Sequence, residues 1–356
     1  MSMTQTDHAR PATARGGTPP AGHGENPIVS VRDLAVEFRQ HTGVVRALEA
    51  VSLDLYPGRV LGVVGESGCG KSVTARAMLR ILDRNGAITA GKVTLDPGTP
   101  AEQDLTALPA EGSAIRAIRG GRIGLIFQEP MAALSMQYTV GNQMMEAIRA
   151  HRDPGKAEAR RRAIALLQEV GIPRPETRID AYPFQLSGGL RQRVGIALAL
   201  AADPDVLIAD EPTTALDVTT QAQILALLRR LQRDKRIALM LITHDMGVIA
   251  QMADDVAVMY LGRVIEFAPV RELFARPRHP YTRALLRSVP DLDAAPRQRL
   301  ATIGGAVPQP NARPKGCPFH PRCPEVIPGR CDTAVPAPVP PGAAGASCFR
   351  VEDAAA

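Results

Sequence analysis

From Ile28 to Phe38 apolar and polar residues alternate (IVSVRDLAVEF), the period-two pattern of a strand covered on one face. RVLGVVG at Arg59–Gly65 is instead a continuous apolar run that breaks through glycine into a helical pattern, so it reads as strand, loop and helix. VLIAD at Val206–Asp210 and IALMLITH at Ile237–His244 are also unbroken, as strands buried on both faces require. Between them Ile224, Leu228 and Leu231 share one helical face, which predicts parallel strands joined by a crossover helix. Another helix is expected through AEARRRAIALLQEVG, with Ile164, Leu167 and Val170 at helical spacing and Gly171 as its stop before Pro173. The segment between Phe127 and Ala181 therefore reads as a helical insert. VAVMYLGRVIEF at Val256–Phe267 predicts a hairpin turning at Gly262–Arg263. Beyond it prolines multiply and periodicity fades, with a compositional boundary at Arg276–Pro280.

Composition narrows the class. A chain of 356 residues with 45% hydrophobic and 22% charged residues has the balance of a soluble globular protein with a sizeable core. No apolar run reaches the roughly 18 to 20 residues of a membrane span. Residues 1–27 are rich in Pro, Gly, Thr and Ala and hold no apolar stretch of signal-peptide type, which predicts a disordered tail on a cytoplasmic protein. A net charge of +6 suits nucleic acid or anionic lipid, but the basic residues are scattered and aromatics are only 3%, with no Trp for base stacking. A solvated basic surface is the expectation, with no nucleic-acid partner.

GESGCGKS at Gly65–Ser72 fits the phosphate-binding pattern of glycine, four residues, then Gly-Lys-Ser, between an expected strand and helix. Gly65, Gly68 and Gly70 let the backbone bring its N–H groups against phosphate oxygens at a helix N-terminus. Ser67, Cys69, Val73 and the residues between them complete the ATP-contacting stretch, with Cys69 a small filler of no redox role. Lys71 is placed on the β and γ phosphates and Ser72 on magnesium. VLIADEP then sets Asp210 and Glu211 at the end of a buried strand, where an open α/β sheet holds its ligands. Asp210 suits water-mediated magnesium binding, and Glu211 suits polarising an attacking water.

LSGGLRQRVGIALALAADPDVLIADEPTTALD resembles the signature-to-D-loop block of ABC ATPases. The resemblance implies an α/β fold: a P-loop ATPase core over residues 28–275 with an antiparallel β subdomain and a helical subdomain at about 127–195. A Cys- and Pro-rich extension at 276–356 completes it. Ser187, Gly188 and Gly189 of LSGG are expected to face the γ phosphate of ATP bound by a partner subunit. Gln128 of IFQEP resembles the Q-loop residue that touches magnesium and links to the membrane partner, Asp217 of TALD the D-loop, and His244 of ITHD the switch histidine. Phe38 falls where the family stacks an aromatic on adenine. Taken singly, Gln128 reads equally as a surface polar residue, His244 as a strand-end cap and Phe38 as core. Leu190 departs from the glutamine or methionine usual there, so the resemblance carries over the backbone contacts but not a side-chain contact to ribose. Lys71, Glu211 and His244 are thus the catalytic candidates, and the single copy of each motif leaves half of each composite site in one chain.

RPRHPYTRALLRSVP at Arg276–Pro290 and the cysteine-rich end resemble the ATPase subunits of oligopeptide and dipeptide importers. That implies ATP-driven peptide uptake from the cytoplasmic face of the cell membrane. The implied partners are a second ATPase, favouring a heterodimer, two permeases and an extracytoplasmic solute-binding protein. An ABC ATPase acting on nucleic acid or ribosomes, or an importer of nickel or another small solute, is the alternative. Cys317, Cys323, Cys331 and Cys348 are separated by five, seven and sixteen residues, wider than the roughly two to four of zinc ribbon pairs. Four thiolates suit an iron–sulfur cluster or zinc, and unligated thiols stay open. Disulfides are disfavoured in a reducing compartment. The resemblance implies a 4Fe-4S cluster, with zinc second.

Overall fold

The computed structural model describes residues 26–41, 43–129, 133–288, 303–309 and 311–355. The expected tail lies outside them up to residue 25. Strand β1 (Val29–Gln40) buries Val29 and Val31, then shifts register and buries Leu34 and Val36. A bulge with Asp33 at φ 48° makes that shift and keeps the apolar positions inward on both sides of it. β1 pairs antiparallel with β2 (Gly43–Leu55) and with β4 (Gly86–Leu95), which also carries the short β5 (Gln103–Asp104). Together they form a four-stranded sheet ordered β2-β1-β4-β5.

The second sheet has seven strands. Its parallel part is β6 (Ile123–Ile126), β7 (Val206–Asp210), β8 (Ala238–Thr243), β3 (Val60–Val64) and β9 (Asp255–Tyr260). Antiparallel β10 (Arg263–Pro269) and β11 (Gly345–Ala346) extend it. The unbroken apolar runs have a simple cause: alternate residues feed two cores. Leu207, Ala209, Leu239 and Leu241 join one, Val206, Ile208, Met240 and Ile242 the other.

Helix α1 (Lys71–Met78) follows β3, and α2 (Ser113–Ile118) precedes β6. The first core is closed by the helical insert: α3 (Val140–His151), α4 (Lys156–Glu169), α5 (Pro175–Arg178) and α6 (Gly188–Ala199). The stop of α4 falls at the expected place, because Gly171 N–H donates to Gln168 O and Ile172 N–H to Leu167 O, with Ile172 and Leu167 both buried. The crossover helix is α7 (Val218–Lys235), whose Ile224, Leu228 and Leu231 are all buried. α8 (Met246–Met252) follows β8. Among the described residues no helix is long and apolar enough to cross a membrane.

The hairpin between β9 and β10 turns one residue earlier than expected, at Leu261–Gly262 rather than Gly262–Arg263, since Arg263 pairs with Tyr260. Positive φ at both turn residues, 43° and 74°, gives the twist that a two-residue hairpin needs. Gly262 is fixed there because its N–H donates to Cys69 O and its carbonyl accepts from Glu49 N–H.

After β10 come α9 (Val270–Ala275), α10 (Pro280–Arg287) and, near the end, α11 (Phe349–Ala355). This region is stitched to the sheet: β11 pairs with β10, and Tyr260, Tyr281 and Phe319 pack their rings with centroids 4.8 to 5.3 Å apart. Such aromatic pairs add about 0.5–1.5 kcal/mol each beyond burial. Buried Glu266 accepts from the N–H groups of Arg278 and His279 at 2.7 and 2.8 Å, satisfying the start of α10.

His279 is itself buried, and its Nδ1 accepts from Tyr281 N–H at 3.0 Å. Burial, helped by the charge of Arg283, lowers its pKa to about 3. An unfolded histidine takes up its proton near pH ~6.5, so between those values the unfolded chain holds more protons. The contribution is complete above about pH 6.5 and falls with acidification by up to ~1.4 kcal/mol per pH unit. His279→Asn, which keeps an acceptor but does not titrate, is expected to flatten the dependence of urea stability between about pH 6.5 and 5 by one proton. An unchanged slope would place the acid sensitivity elsewhere.

Candidate active site

Between β3 and α1 the chain bends at Gly65, where φ is +153° and an added Cβ would lie 2.2 Å from Met259 O and 2.7 Å from Cys69 Sγ. No other residue fits this crossing. The loop opens into a cavity of about 230 Å³ lined by Ser67, Gly68, Gly70, Lys71, Ser72 and Val73, together with Ala47, Gln128 and Glu211. Lys71 is buried and folded back on the loop, its Nζ donating to Gly65 O at 2.8 Å and Glu66 O at 3.2 Å. Cys69 is buried beneath, with its thiol pushed up in pKa by desolvation, in keeping with a filler.

The end of β7 brings the acidic pair to this loop. Ser72 Oγ donates to Asp210 Oδ1 at 2.9 Å, and Asp210 is buried, so desolvation raises its carboxyl pKa against the lowering by Ser72. Glu211 has φ 46°, a left-handed conformation that costs a non-glycine residue on the order of 1–3 kcal/mol, and its N–H donates to Ile242 O at 2.9 Å. Its carboxylate gathers three side chains: Gln128 Nε2 at 3.2 Å, Thr214 Oγ1 at 2.9 Å and His244 Nδ1 at 3.3 Å. His244 is more than half exposed, at 58%, and reaches Glu211 from outside the cavity.

Other expected residues lie apart. Ser187 caps α6 by accepting from Leu190 N–H, and Ser187 and Gly188 are exposed and line no part of the cavity. Asp217 caps α7 through Thr220, whose hydrogen bonds hold its carboxyl below the usual range. Phe38 does not line the cavity; its ring packs on Gly86, where a Cβ would sit 2.6 Å away. Thr214, expected only as the start of the D-loop, also bonds Glu211, and Tyr281 and Arg322, which no motif marked for the site, both touch Glu66. Arg322 is 256 positions from Glu66, so no local pattern could announce it.

The four C-terminal cysteines are free of disulfides. Ile327 N–H donates to Cys331 Sγ at 3.3 Å. Burial raises the thiol pKa of Cys317, to about 11, and those of Cys323 and Cys348, and the neighbouring thiols push the same way. Among the described residues, however, no group of three or more His, Cys, Asp or Glu side chains is arranged to hold a metal ion, so the expected 4Fe-4S or zinc ligand set is not assembled.

A parallel sheet with a phosphate-type loop after β3, an acidic pair ending β7 and a Ser-Gly-Gly helix start with Ser187 and Gly188 exposed define the ATPase cassette class. Residues 48–214 match the ABC transporter family model, and residues 265–331 match that of the oligopeptide/dipeptide transporter C-terminal region. The chain is 47% identical over 325 residues, 91% of its length and 95% of the relative's, to a probable peptide ABC transporter ATP-binding protein of Sinorhizobium fredii. It is 46% identical over 310 residues to the dipeptide transport ATP-binding protein DppD of Escherichia coli, covering 87% of this chain and 92% of that one. The dimeric ATP-binding cassette MJ0796, in a post-hydrolysis state with ADP and Pi, superposes with TM-score 0.60 at 26% identity, over 68% of this chain and 99% of that one. The chain therefore belongs to the ABC transporter ATP-binding subunits that carry an oligopeptide/dipeptide-type C-terminal region.

Gly65→Ala is expected to abolish ATP binding in calorimetry and to destabilise the fold by at least the roughly 1–3 kcal/mol of overpacking, because the new methyl meets a backbone carbonyl that has nowhere to go. Binding at wild-type affinity would contradict the tight crossing.

Proposed function

We propose that this chain hydrolyses ATP to drive peptide uptake, as a peripheral subunit on the cytoplasmic face of the membrane. The observation that carries the reading is the Glu211 carboxylate, held by Gln128, Thr214 and His244 on the rim of the same cavity as Lys71 and Ser72. The loop N–H groups and the N-terminus of α1 bind the phosphates of ATP. Lys71 exchanges the carbonyls of Gly65 and Glu66 for the β and γ phosphates. Glu211 accepts a proton from the attacking water; the new bond forms between that oxygen and the γ phosphorus as the β–γ bridging bond breaks, giving ADP and phosphate. His244 and Thr214 orient the carboxylate.

Ser72 and Asp210, hydrogen-bonded to each other at 2.9 Å, and Gln128 would hold magnesium through their hard oxygen atoms, Asp210 by way of water. When bound, the ion neutralises charge on the β and γ phosphates. Phe38, at the end of β1, is the adenine platform of this reading.

Separation of Ser187, Gly188 and Gly189 from the cavity supports a composite site closed by a second ATPase, for which a related but different chain is favoured. Asp217 then lies at the same junction. The other partners are two permeases and an extracytoplasmic binding protein. A groove of about 660 Å³ beside the Gln128 loop, with exposed Phe127 and Tyr138, fits a permease segment. The names of the relatives favour peptides over nickel and over nucleic acid or ribosomes.

The cysteine quartet is read as a cofactor site, 4Fe-4S before zinc. Support comes from four sulfurs in one C-terminal region, one of which, Cys331 Sγ, accepts a backbone N–H of the kind that stabilises thiolates. Closing the ligand set requires the sulfurs to move from their present positions. Anaerobically purified protein should be brown and carry iron and sulfide; colourless protein with stoichiometric zinc, or with neither metal, overturns the cluster.

Glu211→Gln should keep ATP affinity, lower turnover by about 10² or more and trap an ATP-bound dimer seen by light scattering. Unchanged turnover removes Glu211 from the catalytic role.

A further inference from the structure

Glu66, the second residue of the phosphate loop, has every polar group engaged. Its carbonyl accepts from Lys71 and its N–H donates to Tyr281 Oη at 2.9 Å. The carboxylate takes a two-pronged pair from Arg322, 2.7 Å from Nη1 to Oε2 and 3.0 Å from Nη2 to Oε1. Two of these partners come from the C-terminal region: Tyr281 from α10, and Arg322 from the turn of 3-10 helix between Cys317 and Cys323.

Arg322 is built into this position. Its side chain is only 3% exposed, against 26% for Glu66. Nη1 also meets Tyr260 Oη at 3.3 Å, Nε donates to Gly304 O at 3.0 Å, and the guanidinium lies 5.8 Å from the Tyr260 ring centroid. A surface pair would contribute little, but a guanidinium this buried is held to one geometry and its charge is poorly screened.

We propose that Arg322 is a positioning residue for the phosphate loop, so that the C-terminal region is a working part of the nucleotide site. The inference rests on the reading of that loop as the ATP site. Arg322 acts in two ways. It fixes Glu66, and with it the carbonyl that holds Lys71. It also neutralises a carboxylate that otherwise stands beside the seat of the triphosphate and repels it. Substrate binding, rather than the chemical step at Glu211, is where its loss is felt.

The test measures ATP binding by calorimetry, and turnover and thermal midpoint, in the full chain. Arg322→Met should weaken ATP binding about tenfold or more, with turnover at saturating ATP changed less than about threefold. Adding Glu66→Gln should restore most of the affinity, since the unpaired carboxylate is gone, while leaving the thermal midpoint lowered. Arg322→Lys, which keeps the charge but loses the fork, should fall between. Wild-type affinity in Arg322→Met, or a loss that Glu66→Gln does not recover, overturns the proposal and leaves Arg322 a packing residue. Where Arg322→Met does not fold, Arg322→Lys decides, and affinity equal to wild type overturns it. Absence of ATP binding by the unaltered chain would instead overturn the reading of the loop.

Discussion

The crossing of Gly65 under the Met259 carbonyl is the constraint on which the site depends. With no room for a side chain, the chain turns directly from β3 into α1, and several contacts follow from that path. Cys69 fills the space beneath, Lys71 folds back onto the carbonyls of Gly65 and Glu66, and the Cys69 carbonyl binds the N–H of Gly262. That last bond ties the loop to the β9–β10 hairpin, and through Glu49 to β2. The phosphate loop is thus anchored to both sheets before any ligand arrives, which limits the ordering that binding must impose.

The acidic end of β7 is arranged differently. There the backbone is strained at Glu211, and the strain is held by the bond to Ile242 on β8 and by three side chains on the carboxylate. Gln128 and His244 come from segments adjoining β6 and β8, so any shift between the helical insert and the central sheet moves the groups around Glu211. Under the proposed function this is how permease motion reaches the chemistry, since a two-state element is what a transporter requires.

Much of this was legible in the sequence because its pieces are local. β3, β7 and β8 showed as unbroken apolar runs, and Gly171 marked the end of α4. Other elements were hidden by their surroundings. β2 contains ALEA, good helix formers, and is a strand because β1 pairs along its whole length. β4 exposes most of its first seven residues and so carries no clear alternation. The hairpin turn was misplaced by one residue because only the tertiary bonds of Gly262 fix it. The pair of Arg322 with Glu66 depends on the folded path and left no periodic trace, whereas Thr214 meets Glu211 within one local turn. Phe38 rests its ring on Gly86, outside the phosphate-loop cavity, so its place against adenine is carried by its order along the chain alone.

Under the proposed function, ATP turnover at this half-site is tied to peptide movement through partner subunits. The most direct test of that coupling is reconstitution in vesicles with two permeases, a second ATPase and a binding protein, following labelled dipeptide and phosphate release together. Peptide is expected to accumulate only with ATP, and turnover to rise when peptide-loaded binding protein is present. Turnover indifferent to the permeases, with no peptide accumulated, would contradict that coupling.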